Sequence, residues 1–503
     1  MYSGLSHVGV FSFLKIFLAS CTLSFLKNGF RNDIYAGGNY SQKLQPFEGL
    51  SYIEEKPFLK TNDNNNTILL KLYKQDILSK NITTYYGQVV IGENSENKIN
   101  VLYDTGSTEF WIPFENYKGP NFNNTHNIYK RTKSFKYKYD KKGLPSRLEV
   151  NYLSGKIIGF DGYDTVKLGR DLSVSHTNIA FATDIDIPLL EEFKWDGIVG
   201  LGFENEDSRK RGIKPFLDHL KDDRILTDRK LKNMFGYYIN DTGGFITLGG
   251  IDNQFKRTPE EEIIWSPVST EMGFWTKNRS VLCSIVILSI SMLTTVDILG
   301  IRKETIPYMN ERNEDNVIVK YEGFHDGGSK SIVDTGTFLI YAPKKTMDGY
   351  LKDLVLTSCE DKNKLPYIIF QLKGKKMKTL QSFTVIEIVL SPNDYVIEYI
   401  DQVKLTRECI LGIQVDEKNE EDYINGWTLG QTFLKAYYTI FDKDNLQVGF
   451  VRSRKATHNR NNSHEMKTYV NIQEITERNN SRGKSGKGSI SYNGPLGQTG
   501  NEK

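Results

Sequence analysis

From Thr67 to Arg452 the chain consists mainly of short apolar runs separated by turn residues, the pattern of strands rather than helices. YYGQVVIG (85–92) and KINVLYDTG (98–106) are β-rich runs of this kind. KYKYDKKGLPSRLEVNYLSGKIIGFDGYDTVKLG (136–169) reads as strands and hairpins, and GGFITLGGID (243–252) as another strand. A second strand-rich half extends from about Trp265 to Arg452. One segment breaks the pattern. KPFLDHLKDDRIL (214–226) puts Phe216, Leu217 and Leu220 on one helical face, with Pro215 suited to a first turn.

The flanks read differently. Residues 8–26 are apolar apart from Lys15, several Ser and Thr, and Cys21, which predicts a signal peptide or signal anchor within 1–30. Either one places the rest of the chain in a lumen or outside the cell. Residues 31–66 are polar and carry the run NDNNN, the character of a prosegment or linker without a core of its own. The two strand-rich halves are then 67–260 and 261–453, followed by a polar tail, 454–503, expected to be disordered. The apolar run VLCSIVILSISML (281–293) is too short to span a bilayer comfortably.

Composition narrows the class. The 503 residues suffice for two lobes with extensions, and 42 glycines against 14 prolines suit an all-β protein with many tight turns. The formal net charge is only +3, and residues from Arg452 onward hold ten Lys/Arg against four Asp/Glu. The folded part is therefore mildly acidic, which argues against nucleic acid as a partner. None of Cys21, Cys283, Cys359 and Cys409 has metal-ligand spacing, so no metal or other cofactor is expected. Cys359 and Cys409 either pair in an oxidising compartment or remain free thiols.

The chemistry lies in a repeat. Val101-Leu-Tyr-Asp104-Thr105-Gly106-Ser107-Thr108 and Ser331-Ile-Val-Asp334-Thr335-Gly336-Thr337 each take an apolar strand into Asp-Thr-Gly plus a small hydroxyl residue. Asp334 follows Asp104 by 230 residues, one in each half. A single Asp-x-Gly is ordinary turn sequence; two matched copies at strand ends point to a shared site. Two carboxyls held close enough to share a proton cannot both ionise easily, so one serves as acid and the other as base. A water between them can then attack a carbonyl without metal or covalent intermediate. Gly106 and Gly336 let the backbone turn sharply. Thr105 and Thr335 can hydrogen-bond across the pair, and Ser107 and Thr337 can donate to the outer carboxylate oxygens.

These segments resemble the pepsin-like aspartic proteases over roughly residues 80–453, in wording closest to the plasmepsins. DTGSTEFWIP (104–113), WDGIVGLGF (195–203), LGGID (248–252), WSPVSTEMGFWT (265–276) and GWTLGQTFLKAYYTIFDKDNLQVGFV (426–451) carry the likeness. The resemblance implies an all-β, bilobal fold with a cleft between two β-barrel-like lobes, each lobe supplying one of the catalytic residues Asp104 and Asp334. It implies a β-hairpin flap at 150–155 with Tyr152 at its tip and Trp111 as that tyrosine's hydrogen-bond partner. It also implies a Cys359–Cys409 disulfide. The implied function is a monomeric endopeptidase, made as a zymogen in the secretory pathway, secreted or held in a vesicle. It would cut peptide or protein substrates between apolar residues. A catalytically silent peptide-binding module on the same fold is the alternative.

The pattern is broken in places. No first-lobe disulfide is available, Leu153 replaces the glycine usual beside the flap tyrosine, and Gln431 stands where many members carry a third acidic residue. The last departure predicts a pH optimum less acidic than pepsin's. Lys71 and Lys74 are the lysines available to cap the aspartates before activation, though the prosegment is short. Residues 277–295 and about 377–387 interrupt the family pattern, as retained intron sequence or as surface insertions.

Overall fold

The computed structural model describes residues 67–454, apart from 78–81, 93–96, 116, 118–125, 153–154, 169–171, 205, 270–294, 305–319, 324–328, 377–381, 402–405 and 416–425, together with two short strands, Phe11–Ser12 and Gln473–Thr476. Nearly all of residues 1–30, the 31–66 segment, nearly all of the 277–295 stretch and nearly all of the tail lie outside the described residues. Cys21 and Cys283 do as well.

Strands dominate, as the apolar runs predict. Along one sheet the neighbours are Gly155–Lys167, Ser173–Asp186, Phe110–Pro113, Gly197–Gly200, Lys98–Asp104, Ile82–Ile91 and Ile68–Ile77. The same sheet continues through Gly243–Leu248, Met234–Asn240, Tyr437–Asp442, Gln447–Arg452 and Ile264–Pro267. A second sheet holds Ile413–Val415, Ile340–Ala342, Trp427–Leu429, Ser329–Val333, Thr295–Glu304, Tyr367–Lys376 and Ser382–Leu390. Val396–Asp401 and Thr406–Leu411 form a separate hairpin.

Chain order and sheet membership part company at the C-terminus. Tyr437–Asp442 pairs with Met234–Asn240, Phe441 opposite Phe235, so the last strands of the second half close the sheet of the first. Apolar burial drives this. Phe441, Val448 and Phe450 are fully buried in one continuous core that also holds Leu70, Ile246, Val333 and Trp427. Each such side chain contributes about 1.5–3 kcal/mol of transfer free energy. Of the stretch around 377–387, residues 382–387 form part of a paired strand, with Ile386 opposite Leu372 and Glu387 accepting from Gln371 Nε2 at 3.0 Å.

Cys359 and Cys409 are joined by a disulfide that ties the Cys359–Lys364 turn of 3-10 helix to the Thr406–Leu411 strand. Among the described residues no helix is long and apolar enough to cross a membrane. The expected helix at 214–226 is shorter than its apolar spacing suggested. It runs Phe216–Asp222, with Pro215 preceding the first turn as the cap residue. Arg224 then adopts a left-handed conformation, φ 59°, and a second short turn covers Ile225–Asp228. The helix buries Phe216, Leu217, His219 and Leu220.

His219 is the unexpected member of that buried face. Its Nε2 accepts the Asn178 amide at 3.2 Å. Burial first, and then Lys214, lower its pKa from 6.5 to about 4, against the pull of Asp223, Asp222 and Asp218. A depressed folded pKa gives stability that is present above 6.5 and lost as the pH falls toward 4. His219→Gln, which keeps an acceptor but cannot titrate, is expected to flatten the pH dependence of the urea midpoint between about 6.5 and 4. An unchanged slope would show that His219 does not set it.

Candidate active site

The two Asp-Thr-Gly segments occupy equivalent places in equivalent local folds. Strand Lys98–Asp104 ends at Asp104, and strand Ser329–Val333 stops one residue before Asp334. After each the chain turns and returns as a further strand, Phe110–Pro113 or Ile340–Ala342. A third apolar strand from far along the sequence fills the gap between them. Gly197–Gly200 runs parallel to the first strand, with Gly200 opposite Asp104, and antiparallel to the second, with Ile198 opposite Trp111. Trp427–Leu429 does the same in the other half, Leu429 facing both Val333 and Ile340. These inserted strands hold the aspartates by backbone. Leu201 N donates to Asp104 O at 2.8 Å, and Asp334 N donates to Leu429 O at 3.0 Å.

The threonines lock the two loops to each other. Thr105 Oγ1 accepts the Thr335 amide at 3.0 Å and donates to Val333 O at 2.8 Å. Thr335 Oγ1 accepts the Thr105 amide at 3.0 Å and donates to Tyr103 O at 2.6 Å. Both side chains are completely buried. Every one of these bonds crosses between the halves of the chain.

The lock brings the carboxyls face to face. Asp104 Oδ1 accepts the Gly106 amide and Asp334 Oδ1 accepts the Gly336 amide, each at 2.8 Å. Thr337 Oγ1 donates to Asp334 Oδ2 at 2.6 Å. A side-chain carbon at Gly336 would lie 2.5 Å from Asp104 Oδ1, and one at Gly106 would lie 2.9 Å from Asp334 Oδ1. Glycine is required at both positions because the opposite carboxyl occupies that space. Burial pushes the Asp104 carboxyl well above the ordinary range, and the charge of Asp334 pushes it further; the Ser107 hydroxyl and the Gly106 amide pull the other way. Tyr237, on the sheet that joins the halves, is held neutral by burial and by the negative charges of Asp334 and Asp104.

Gln431 is buried beside the pair. Its Nε2 donates to Thr335 O at 2.9 Å and its amide to Thr337 O at 2.7 Å. The expected pH effect needs correction in sign. A like charge here would raise the pair's proton affinity, so a neutral amide removes an upward push rather than supplying one.

Trp111 is completely buried, in a core with Leu148, Val150 and Ile157 of the hairpin strands Arg147–Tyr152 and Gly155–Lys167. Tyr152 pairs with Gly155 in that hairpin; its side chain, and Leu153 and Ser154, lie outside the described residues. Lys74 pairs with Asp76 at 2.8 Å and Lys71 lies over the Tyr73 ring. Among the described residues no cluster of three or more His, Cys, Asp or Glu side chains is arranged to hold a metal.

Two features escaped the sequence reading. A shallow hollow is lined by Ile82, Leu102, Phe193 and Trp195 from the first half of the chain and by Gly336, Phe338 and Gln431 from the second. Phe338, immediately after the second Asp-Thr-Gly-Thr, was the available signal. Behind the first loop, Arg211 bridges Asp161 at 2.9 Å and Glu109 at 3.1 Å, both carboxylates nearly inaccessible. That triad joins residues 102 positions apart, and no local pattern marks it.

The family model described as "Eukaryotic aspartyl protease" matches residues 84–288 and 303–453. The chain is 59% identical over 511 residues to Plasmepsin VII of Plasmodium berghei (strain Anka), covering 99% of this chain and 100% of that protein. It is 59% identical over 429 residues to Plasmepsin VII of Plasmodium falciparum (isolate NF54), covering 84% and 91%. Pepsin A of Sus scrofa is 27% identical over 382 residues, covering 73% and 80%.

Thr335→Val keeps the shape but deletes the hydroxyl that serves the Thr105 amide and the Tyr103 carbonyl. The expected loss is about 2–4 kcal/mol in urea unfolding, with most of it recovered in Thr335→Ser. A Val variant as stable as the parent would mean that the threonine lock adds nothing to the fold.

Proposed function

The chain belongs to the eukaryotic aspartyl proteases, and from that premise we propose that Asp104 and Asp334 are its catalytic pair. The protein is an aspartic endopeptidase acting on peptide bonds. The observation that carries the assignment is the mutual approach of the carboxyls, each filling the space in which the other loop's glycine would carry a side chain.

Roles follow from the surroundings. Asp334 accepts hydrogen bonds from the Gly336 amide and the Thr337 hydroxyl, which favour its charged form. Asp104, buried and facing that charge, keeps the shared proton. Asp334 draws a proton from a water between the carboxyls, the water oxygen bonds to the scissile carbonyl carbon, and Asp104 protonates the carbonyl oxygen. Transfer of a proton to the amide nitrogen then releases the amine as the C–N bond breaks. Thr105, Gly106, Ser107, Thr335, Gly336 and Thr337 support the pair. Tyr152 lies at the tip of the flap that covers the substrate, and Trp111, on the buried strand beneath that hairpin, is its hydrogen-bond partner.

The shallow hollow beside Gly336 is lined mainly by Ile82, Leu102, Phe193, Trp195 and Phe338, an apolar surface against which a substrate side chain would pack. The Cys359–Cys409 disulfide and the apolar run 8–26 support synthesis into the oxidising lumen of the secretory pathway, as a monomeric zymogen with 31–66 as prosegment. In this plan 67–260 and 261–453 are the two lobes.

A peptide-library digest with the purified chain tests the assignment. Cleavage blocked by a pepstatin-type statine inhibitor is expected, and Asp104→Asn and Asp334→Asn should each lower kcat by about 10³-fold or more while leaving the thermal midpoint in place. The pair works while it holds one proton, so kcat/KM should fall as the pH rises through the raised pKa of Asp104. That alkaline limb is expected above the ordinary aspartate value of about 3.9. Undiminished turnover in either variant, or peptide binding without cleavage at every pH, would overturn the proposal.

A further inference from the structure

Residues 130–147 carry eight Lys/Arg side chains and one acidic residue, Asp140, in a chain whose whole net charge is only +3. The segment is a hydrogen-bonded turn. Tyr139 and Pro145 form an antiparallel bridge, and Asp140 and Leu144 close the turn through a 2.7 Å backbone bond. The one carboxylate is consumed inside the turn, where Asp140 Oδ1 accepts the Lys142 and Leu144 amides at 2.8 and 3.0 Å. Gly143, at φ +75°, makes the reversal. At the base, Tyr137 packs edge-to-face against Phe135 and at a tilt against Phe160, and Lys138 Nζ donates to Gly212 O. The tip is therefore fixed in place by the core beneath it.

What the tip presents is unusual for a solvated hairpin. Leu144 and Tyr139, on opposite arms of the same turn, are each 60% exposed. Lys141 and Lys142 lie between them in the turn and Lys133 and Lys136 precede it, all four exposed. Arg131 is already paired with Glu115, but no carboxylate is paired with these four lysines among the described residues. A solvated charge run has no use for two large apolar side chains at its apex. A phosphodiester or sulfate polymer would use the cations alone. An anionic lipid surface uses both, because lysines gain from negative headgroups while Leu and Tyr enter the interfacial layer.

From this juxtaposition we infer that the 136–147 hairpin docks the protein onto an anionic phospholipid bilayer, holding the enzyme at a membrane face. The surface is distinct from the aspartate pair and independent of the catalytic assignment.

Co-sedimentation of the purified chain with vesicles tests it. Binding to phosphatidylcholine vesicles containing phosphatidylserine is expected, weakening with added salt, with little binding to phosphatidylcholine alone. Lys141→Ala combined with Lys142→Ala should weaken vesicle binding roughly 30-fold. Tyr139→Ser combined with Leu144→Ser should weaken it several-fold while leaving retention on heparin unchanged. All variants should keep the parent's thermal midpoint and peptide hydrolysis. Equal binding to neutral and anionic vesicles would overturn the inference. So would a Tyr139/Leu144 variant that binds anionic vesicles as tightly as the parent, which would mark recognition of polyanions by charge alone.

Discussion

Four buried hydrogen bonds hold this molecule to its purpose. The hydroxyls of Thr105 and Thr335 each accept the other loop's amide and donate to a carbonyl at the end of the opposite strand. Because the donors and acceptors are reciprocal, neither loop can shift without leaving polar groups unpaired in a water-free environment. The rest of the site inherits its geometry from that constraint. The carboxyls face one another because the loops carrying them are fixed, and the glycines are glycines because the facing carboxyls leave no space for a side chain.

Holding two carboxyls this close has an electrostatic cost, which the site converts into chemistry. With burial removing solvent and each group opposing the other's ionisation, a single proton is retained on the pair. In the proposed division of roles Asp334, bonded to the Gly336 amide and the Thr337 hydroxyl, carries the charge and Asp104 the proton. Gln431 completes the second loop with an amide, so it supports the Thr335 and Thr337 carbonyls without adding a third negative charge.

Such an arrangement needs a foundation that does not move. The sheet running from Ile68–Ile77 through Met234–Asn240 to Gln447–Arg452 supplies it, since strands from both ends of the sequence pair beneath the loops. Trp111 stands at the junction between foundation and hairpin, completely buried against Leu148, Val150 and Ile157. The Arg211 bridge to Asp161 and Glu109 fastens the helical segment to the strands behind the first loop. By contrast, the 136–147 hairpin, rooted by aromatic packing but bare at its tip, is free to meet a surface without disturbing the pair.

Local pattern was enough to reveal the strands, the duplicated Asp-Thr-Gly-Ser/Thr segments and the residue types a shared-proton site needs, because strand periodicity and turn chemistry are properties of neighbouring residues. The Phe216–Asp222 helix came out longer in the sequence reading than in the structure, since apolar spacing does not register the left-handed turn at Arg224. The Cys359–Cys409 bond was one of two open outcomes until the backbone brought the residues together. Nothing local could show that Gly197–Gly200 and Trp427–Leu429 slot between the strands of each loop, or that Tyr437–Asp442 returns to pair with Met234–Asn240. Nor could it place Arg211 between Asp161 and Glu109, or Phe338 opposite Phe193 and Trp195 across a hollow. Neighbouring residues were enough to name the candidate side chains for the proposed chemistry. Only the tertiary structure decided which of them meet, because long-range pairing and burial are set by how the whole chain packs.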